Sequence, residues 1–263
     1  MMELMDNDTG TAQAPTGTQA IDRAAELLTL VVESAGSRTF TSLVAETGLA
    51  KSTTSRLLQA LERHRLVRRD REGAFRAGPV FTQYALRGDI TDVLAELAAP
   101  TLERIGERTG ETVTLAVVRA GAVITIAQVD SSYLLSATTW VGLDLPAHCT
   151  SSGKVFYAHD RLPLPEGDLV PRTEHTVATA TALARQFPEI RRRGYAAVRE
   201  ELEVGLVSIG APVFASDGTV IAAIAVTGPT ARLDRRRTEA TALLLVEETR
   251  SLSALLGHRP APT

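Results

Sequence analysis

Two stretches of this chain switch to the two-residue period of a strand: Thr112–Asp130 (TVTLAVVRAGAVITIAQVD) and Leu206–Gly228 (LVSIGAPVFASDGTVIAAIAVTG). Each holds two β-branched runs about a glycine-bearing turn, RAGA in the first and ASDG in the second. A pair of hairpins of this kind predicts an antiparallel sheet, and YLLSATT (133–139) extends the first one. Helical spacing surrounds them at Asp89–Arg108, Ser151–His159, Val177–Arg192 and Asp234–Leu256, with a kink or break expected at Pro100. The second part of the chain is therefore expected to be α+β, helices on an antiparallel sheet, rather than doubly wound.

The N-terminal third has a different period. Ile21, Ala24, Ala25, Leu27, Leu28 and Val31 recur every three or four residues, and Gly36 is expected to end that helix. A short helix follows at Thr41–Glu46 with Leu43 and Val44 inward, broken by Gly48 as a residue suited to positive φ. A third runs from Lys51 to His64 on a stripe of Thr54, Leu57, Leu58 and Leu61. LVRRD-REG-AFRAG then reads as two short strands about a turn closed by Gly73. Short helix, glycine turn, longer helix and basic hairpin describe a winged helix-turn-helix. The expected organisation is a disordered leader at 1–17, a winged domain at 18–78, a linker helix at 79–88, a sheet domain at 89–257 and a frayed tail at 258–263.

Net charge is −3 over 263 residues, which on its face disfavours a polyanion partner. Local charge argues otherwise. Lys51–Arg76 holds eight basic side chains (Lys51, Arg56, Arg63, Arg65, Arg68, Arg69, Arg71, Arg76) against Glu62, Asp70 and Glu72. Charges beyond about 8–10 Å are screened at cellular salt, so the local excess decides. A generic three-helix bundle with a wet charged face is the competing reading. Position favours a DNA reader: Lys51, Ser52, Thr53, Ser55, Arg56 and Gln59 occupy the start of the third helix opposite its leucines. Arg68, Arg69, Arg71 and Arg76 fall on the wing, placed to grip phosphates of a double-stranded operator.

Composition excludes several classes. No apolar run reaches the roughly 18–20 residues of a membrane span, and no apolar core follows Met1, so neither a membrane partner nor a signal peptide is expected. One cysteine, Cys149, excludes intrachain disulfides and multi-cysteine zinc sites, which suits a cytoplasmic location.

The most reactive-looking cluster is Leu145–Ala158 (LPAHCTSSGKVFYA), with His148, Cys149, Thr150, Ser151, Ser152 and Lys154. Ser151-x-x-Lys154 matches the bare pattern of serine β-lactamases, but neither Ser-Asp-Asn nor Lys-Thr-Gly accompanies it. A phosphate-binding loop fails because Val155 stands where a Mg²⁺-holding Ser or Thr is required. Adjacent His148 and Cys149 make neither a nucleophile pair nor a metal set, so no catalysis, metal or cofactor is expected. The segment reads better as a loop feeding a helix N-terminus, capped by Thr150 or Ser151 and suited to a carboxylate. A plain helix cap is the alternative. Opposite it, strand alternation puts Leu206, Ser208 and Gly210 on one face, and Ile221, Ala223, Ala225 and Thr227 on another. Such small residues leave room beside a sheet.

Three segments carry a family resemblance: TGLAKSTTSRLLQALERHRLVRRD, LPAHCTSSGKVFYA, and RRGYAAVREELEVGLVSIGAPVFASDGTVIAAIAVTGP. Together they resemble the isocitrate lyase regulator (IclR) family of bacterial transcription factors over roughly residues 18–256. The resemblance implies a GAF- or profilin-like effector domain behind a winged DNA-binding domain, in a homodimer that in this family is often paired into a tetramer. It also implies a small-molecule effector, a small carboxylic acid by the chemistry of the lining. Family effector positions correspond here to Leu134, Ala137, Leu145, Ser151, Ser152, Val198, Leu206, Ser208, Ala225 and Thr227. Some members have an acidic residue at the Val198 position.

The expectation is a ligand-responsive regulator, a repressor rather than an activator, with the linker helix transmitting the response. Two rivals stand beside it: a hydrolase using Ser151 and Lys154, and a winged domain serving protein contacts with a constitutive dimeriser behind it. Arg191-Arg192-Arg193 reads as a solvated complement to a helix C-terminus, with a second DNA-contacting surface as the alternative.

Overall fold

The computed structural model describes residues 16–34, 36–87, 90–133, 139–143 and 145–259. The chain divides into two compact units, Met1–Arg87 and Gly88–Thr263.

In the first unit, α1 (Thr16–Val32), α2 (Phe40–Thr47) and α3 (Lys51–Arg63) precede a hairpin of β1 (Val67–Arg69) and β2 (Phe75–Ala77), then α4 (Pro79–Arg87). Thr39 caps α2, its Oγ1 accepting from the Ser42 N–H at 3.1 Å. Gly48 closes α2 at φ +65°, a conformation that costs a side-chain-bearing residue about 1–2 kcal/mol. Leu27, Val31, Leu43, Leu58, Leu61, Val67 and Phe75 form the core. Leu57, expected in the buried stripe of α3, is only half-buried. The wing turn is held by Asp70 Oδ1, which accepts from the amides of Glu72 (3.0 Å) and Ala74 (2.9 Å). Arg38 pairs with Phe75 as an added bridge, tying the wing to the chain before α2.

Three boundaries differ from expectation here. Helix α1 takes in Thr16 and Gly17, expected in the leader, and it ends at Val32, short of Gly36; residues 1–15 lie outside the described residues. The helix expected as a linker belongs to the first unit, its Val80 N–H donating to Arg65 O at 3.3 Å.

In the second unit, α5 (Ile90–Thr109) leads into β3 (Thr112–Arg119) and β4 (Ala122–Val129). A 3₁₀ turn (Ala147–Cys149) feeds α6 (Ser151–Ala158), followed by α7 (Ala180–Ala184) and α8 (Phe187–Arg193). Strands β5 (Ala196–Arg199), β6 (Leu206–Phe214) and β7 (Val220–Pro229) and the long α9 (Arg235–Leu255) complete it. The sheet runs β4-β3-β7-β6-β5 with every pairing antiparallel. Residues alternate across it as the pleat requires. Val113, Leu115, Val207, Ile209, Ile224 and Val226 pack toward Leu102, Ile105, Leu245 and Leu252 of α5 and α9. Ala116, Ala196 and Ala223 face Val155 and Phe156 of α6.

Four expectations need correction. Helix α5 continues through Pro100. That proline removes one N–H, but Ala98, Leu102 and Ile105 are fully buried and packing holds the helix together. The single helix expected over 177–192 is two short ones, because Pro188 has no N–H for Ala184 O and sits in the first turn of α8. Strand β5, only Ala-Ala-Val-Arg, was too short to show a period. Ile221 does not share the face of Ala223: a register shift at Val213/Phe214 makes a bulge, so Ile221 and Ala222 both pack toward α5 and α9. At the C-terminus, His258 is packed rather than frayed, stacking on Phe214 with centroids 4.9 Å apart. The bulk of YLLSATT, residues 134–138, lies outside the described residues, as do 260–263.

Candidate nucleic-acid interface and candidate ligand cavity

Helix α3 presents Lys51, Ser52, Arg56 and Gln59 to solvent, with Thr53 and Ser55 half-buried beside them. Its N-cap is Ala50, which offers no capping oxygen, so the first amides of α3 join the side chains as donors. On the wing, Arg68, Arg69, Arg71 and Arg76 are exposed. Arg69 is steadied by Glu62 at 3.4 Å and lies 4.6 Å over the Phe75 ring, while Arg76 stands 3.7 Å from Asp70. Among the described residues, Lys51, Arg56, Arg68 and Arg71 have no ion-pair partner, which leaves their full charge for phosphates.

The second unit contains a cavity of about 620 Å³, open mouth included. Leu145, Ser151, Ser152, Val198, Leu206, Ser208, Ala225 and Thr227 all line it. Leu134 and Ala137 lie outside the described residues. The β6–β7 register sets Ser208 opposite Thr227 and Gly210 opposite Ala225, and β5 brings Val198 to Ser208. A chain of hydroxyls crosses the floor: Ser151 Oγ to Ser208 Oγ at 2.7 Å, then Ser208 Oγ to Thr227 Oγ1 at 2.9 Å. Leu143, Leu145, Leu202, Leu206 and Trp140 supply the apolar wall.

Helix α6 enters this cavity by its N-terminus. Thr150 is the cap, its Oγ1 accepting from the Gly153 N–H at 3.2 Å, and the first intrahelical bond is Lys154 N–H to Thr150 O. The amides of Ser151 and Ser152 precede that bond and carry the positive end of the helix. Gly153 is required by close approach: a Cβ there would lie 2.0 Å from Ala147 O.

Beneath α6, Lys154 is 1% exposed and donates to Glu201 Oε1 at 2.5 Å and Gln186 Oε1 at 2.9 Å. Burial draws the Lys154 ammonium below its usual range, and Glu201 opposes that shift. Glu201 lines the cavity and Lys154 does not, and the buried ammonium beside that carboxylate offsets part of its charge there.

This geometry separates the groups a hydrolase would need together. Ser151 Oγ bonds Ser208, whereas Lys154 Nζ is committed to Glu201 and Gln186. Burial, then the Glu201 charge, pushes the Cys149 thiol up to about 11, so it holds its proton and is inert as a nucleophile. His148 Nε2 is engaged with Val170 O at 3.0 Å. Among the described residues no group of three His, Cys, Asp or Glu side chains is placed to hold a metal.

Sequence reasoning missed Thr114, Thr125, Trp140, Cys149 and Glu201 as lining residues. Thr114 was visible as the β3 partner of Ala225, had strand pairing been known. Trp140 and Glu201 come from connecting segments with no periodic pattern.

A winged helix-turn-helix joined to a sheet domain with an internal cavity defines a two-domain DNA-binding regulator. Comparisons name the group. Residues 20–71 match the model of the IclR helix-turn-helix domain and residues 90–254 that of the bacterial transcriptional regulator IclR C-terminal domain. The chain belongs to the IclR family of transcriptional regulators. It is 32% identical over 254 residues to the HTH-type transcriptional regulator BhcR of Paracoccus denitrificans, covering 94% of this chain and 91% of that one. It is 30% identical to the HTH-type transcriptional repressor AllR of Klebsiella pneumoniae, covering 94% and 93%. Among solved structures, an IclR regulator from Silicibacter sp. TM1040 superposes with a TM-score of 0.74 at 24% identity, over 93% of this chain and 99% of that one. These relatives are regulators, and this chain is a regulator rather than an enzyme. No helix among the described residues is long and apolar enough to cross a membrane.

Proposed function

We propose that this regulator is a repressor whose operator affinity is changed by a small carboxylic acid held in the cavity of the second unit. One observation carries the reading: the N-terminus of α6 and the Ser151–Ser208–Thr227 hydroxyl chain converge on a space walled mainly by leucines and Trp140, with Thr114, Thr125, Cys149 and the Lys154-paired Glu201 also on its lining. Uncommitted helix amides suit a carboxylate, the hydroxyls fix its orientation, and the apolar wall takes the body of the acid. Val198, where some members carry an acid, removes a charge that would repel such a ligand. Repression is supported by the relatives named as repressors, AllR of K. pneumoniae among them.

In this reading Lys51, Ser52, Thr53, Ser55, Arg56 and Gln59 read base edges, and Arg68, Arg69, Arg71 and Arg76 grip phosphates. The working form is a cytoplasmic homodimer, able to pair into a tetramer, with each protomer reading a half-site. The acid acts through its different affinity for two arrangements of the assembly, with α4 connecting the units.

The test is a thermal-shift screen of the full chain against small mono- and dicarboxylic acids, with gel shifts on operator DNA, repeated on Ser208→Leu. An acid at a hundred times its Kd adds about 2.7 kcal/mol, a rise of several degrees in Tm. Ser208→Leu fills the cavity and should abolish both responses. If no acid moves the parent, or Ser208→Leu responds as the parent does, the effector assignment is wrong.

A further inference from the structure

The arginine run Arg191–Arg193 ends α8. A second cavity, about 760 Å³ with its mouth, is lined by all three of these arginines together with Arg250, His159 and His258. It shares no lining residue with the cavity under α6. Among the described residues no Asp or Glu lines it. Among the described residues, Asp160 lies 3.7 Å from Arg191 and Glu189 pairs with Arg192 at 2.6 Å.

Glu189 holds Arg192 through both Nε (2.8 Å) and Nη2 (2.6 Å), whereas Arg191 and Arg193 are also held by neutral groups. Arg191 Nη1 donates to Ala158 O at 2.5 Å, and Arg193 Nε donates to Tyr195 O at 2.7 Å with its guanidinium 4.3 Å over the Tyr195 ring. Arg250 is exposed on α9 and has no ion-pair partner among the described residues. Against four guanidiniums stand Asp160, Glu189 and about half a negative charge from the C-terminal end of α8, so the cluster keeps a net positive charge.

A separate observation comes from the cavity's imidazoles. His159 Nε2 and His258 Nδ1 are buried without a hydrogen-bond partner among the described residues. Both rings pack on Phe214, His159 edge-on at 5.5 Å and His258 stacked at 4.9 Å. Buried polar atoms without partners are uncommon and point to an unmet interaction. Burial, then the Arg191 charge, draws the His159 imidazole below its usual range, in keeping with a positive field.

We propose that this cavity, between the end of α8, the end of β6 and the C-terminal half of α9, is a second anion site that takes a small phosphate-bearing molecule. Fork-shaped guanidiniums bind phosphate oxygens bidentately, and four of them suit a multivalent anion better than a monocarboxylate. The concave shape suits a small molecule rather than a long polyanion.

The test is isothermal titration of the full chain with inorganic pyrophosphate at low salt, alongside the double variant Arg192→Ala/Arg250→Ala and the variant Ser208→Leu. Both arginines are exposed, so the double variant retains its fold, checked by circular dichroism. The parent should bind, the double variant should bind at least about tenfold more weakly, and Ser208→Leu should bind as the parent does. Absence of parent binding, or equal binding by the double variant, overturns the proposal. So does loss of pyrophosphate binding in Ser208→Leu, which would place the anion in the other cavity. A change of oligomeric state in the double variant with unchanged pyrophosphate affinity also overturns it, making the cluster a contact between copies.

Discussion

Lys154→Met isolates what holds the floor of the first cavity. Methionine keeps the length of the stem and removes the ammonium, leaving Glu201 (8% exposed) without its cation and Gln186 Oε1 without its donor. Glu201 Oε2 already lacks a partner among the described residues, so the carboxylate has no second hydrogen bond to fall back on. Breaking a buried pair from one side costs about 3–5 kcal/mol, a large part of the ~5–15 kcal/mol total of a typical protein. At about 2–4 °C per kcal/mol, the melting temperature of the second unit should fall by roughly 6–20 °C. Adding Glu201→Leu removes the stranded charge, and the double variant should recover to within about 1–2 kcal/mol of the parent. Thermal melts and urea denaturation followed by circular dichroism, run as a double-mutant cycle, measure both numbers. A Lys154→Met protein melting within a degree or two of the parent would refute the reasoning, as would a double variant whose loss equals the sum of the two singles.

Arg56→Ala and Ser52→Ala should each weaken operator binding by about ten- to a hundredfold in gel shifts, the cost of roughly 1–3 kcal/mol for a lost base contact. Arg68→Ala and Arg71→Ala should instead each lower the slope of log affinity against log salt by about one. Cys149 predicts an alkaline loss of stability. Burial pushes its thiol up to about 11, above the ordinary 9.0, so the folded state keeps a proton that the unfolded chain releases. Stability from this group is therefore full below pH 9 and declines as pH rises toward 11, by on the order of 2 kcal/mol. Cys149→Ala should show a shallower fall in urea midpoint between pH 8.5 and about 10.5 than the parent. Gly153→Ala forces a methyl against Ala147 O and should destabilise the second unit by about 3 kcal/mol or more, seen as a lower melting transition.

Much of this molecule was readable along the chain because the physics is local. Three-residue spacing marked α1 and α3, a two-residue period marked β3, β4, β6 and β7, and Gly48 stopped α2 by its positive φ. Where a longer-range contact decided, reading failed. Pro100 should kink or break a helix, yet packing against the sheet carries α5 through it without a break. Ile221 should share the face of Ala223, but a bulge set by pairing with β6 turns it over. Eight resemblance-derived positions line one cavity, but which other residues join them depended on segments without a period, such as those bearing Trp140 and Glu201.

By itself, then, the order of residues determined two units of different architecture, the basic start of α3 opposite its leucines, and a helix N-terminus at Thr150–Ser151. Each follows from side chains within a turn or two of one another. Tertiary structure alone decided what those pieces enclose. The Ser151–Ser208–Thr227 hydroxyl chain, the Lys154–Glu201–Gln186 cluster and the four-arginine cavity draw on residues up to 99 positions apart, between His159 and His258. Only the pairing of β5, β6 and β7 and the seating of α6, α8 and α9 on them bring those groups within bonding distance.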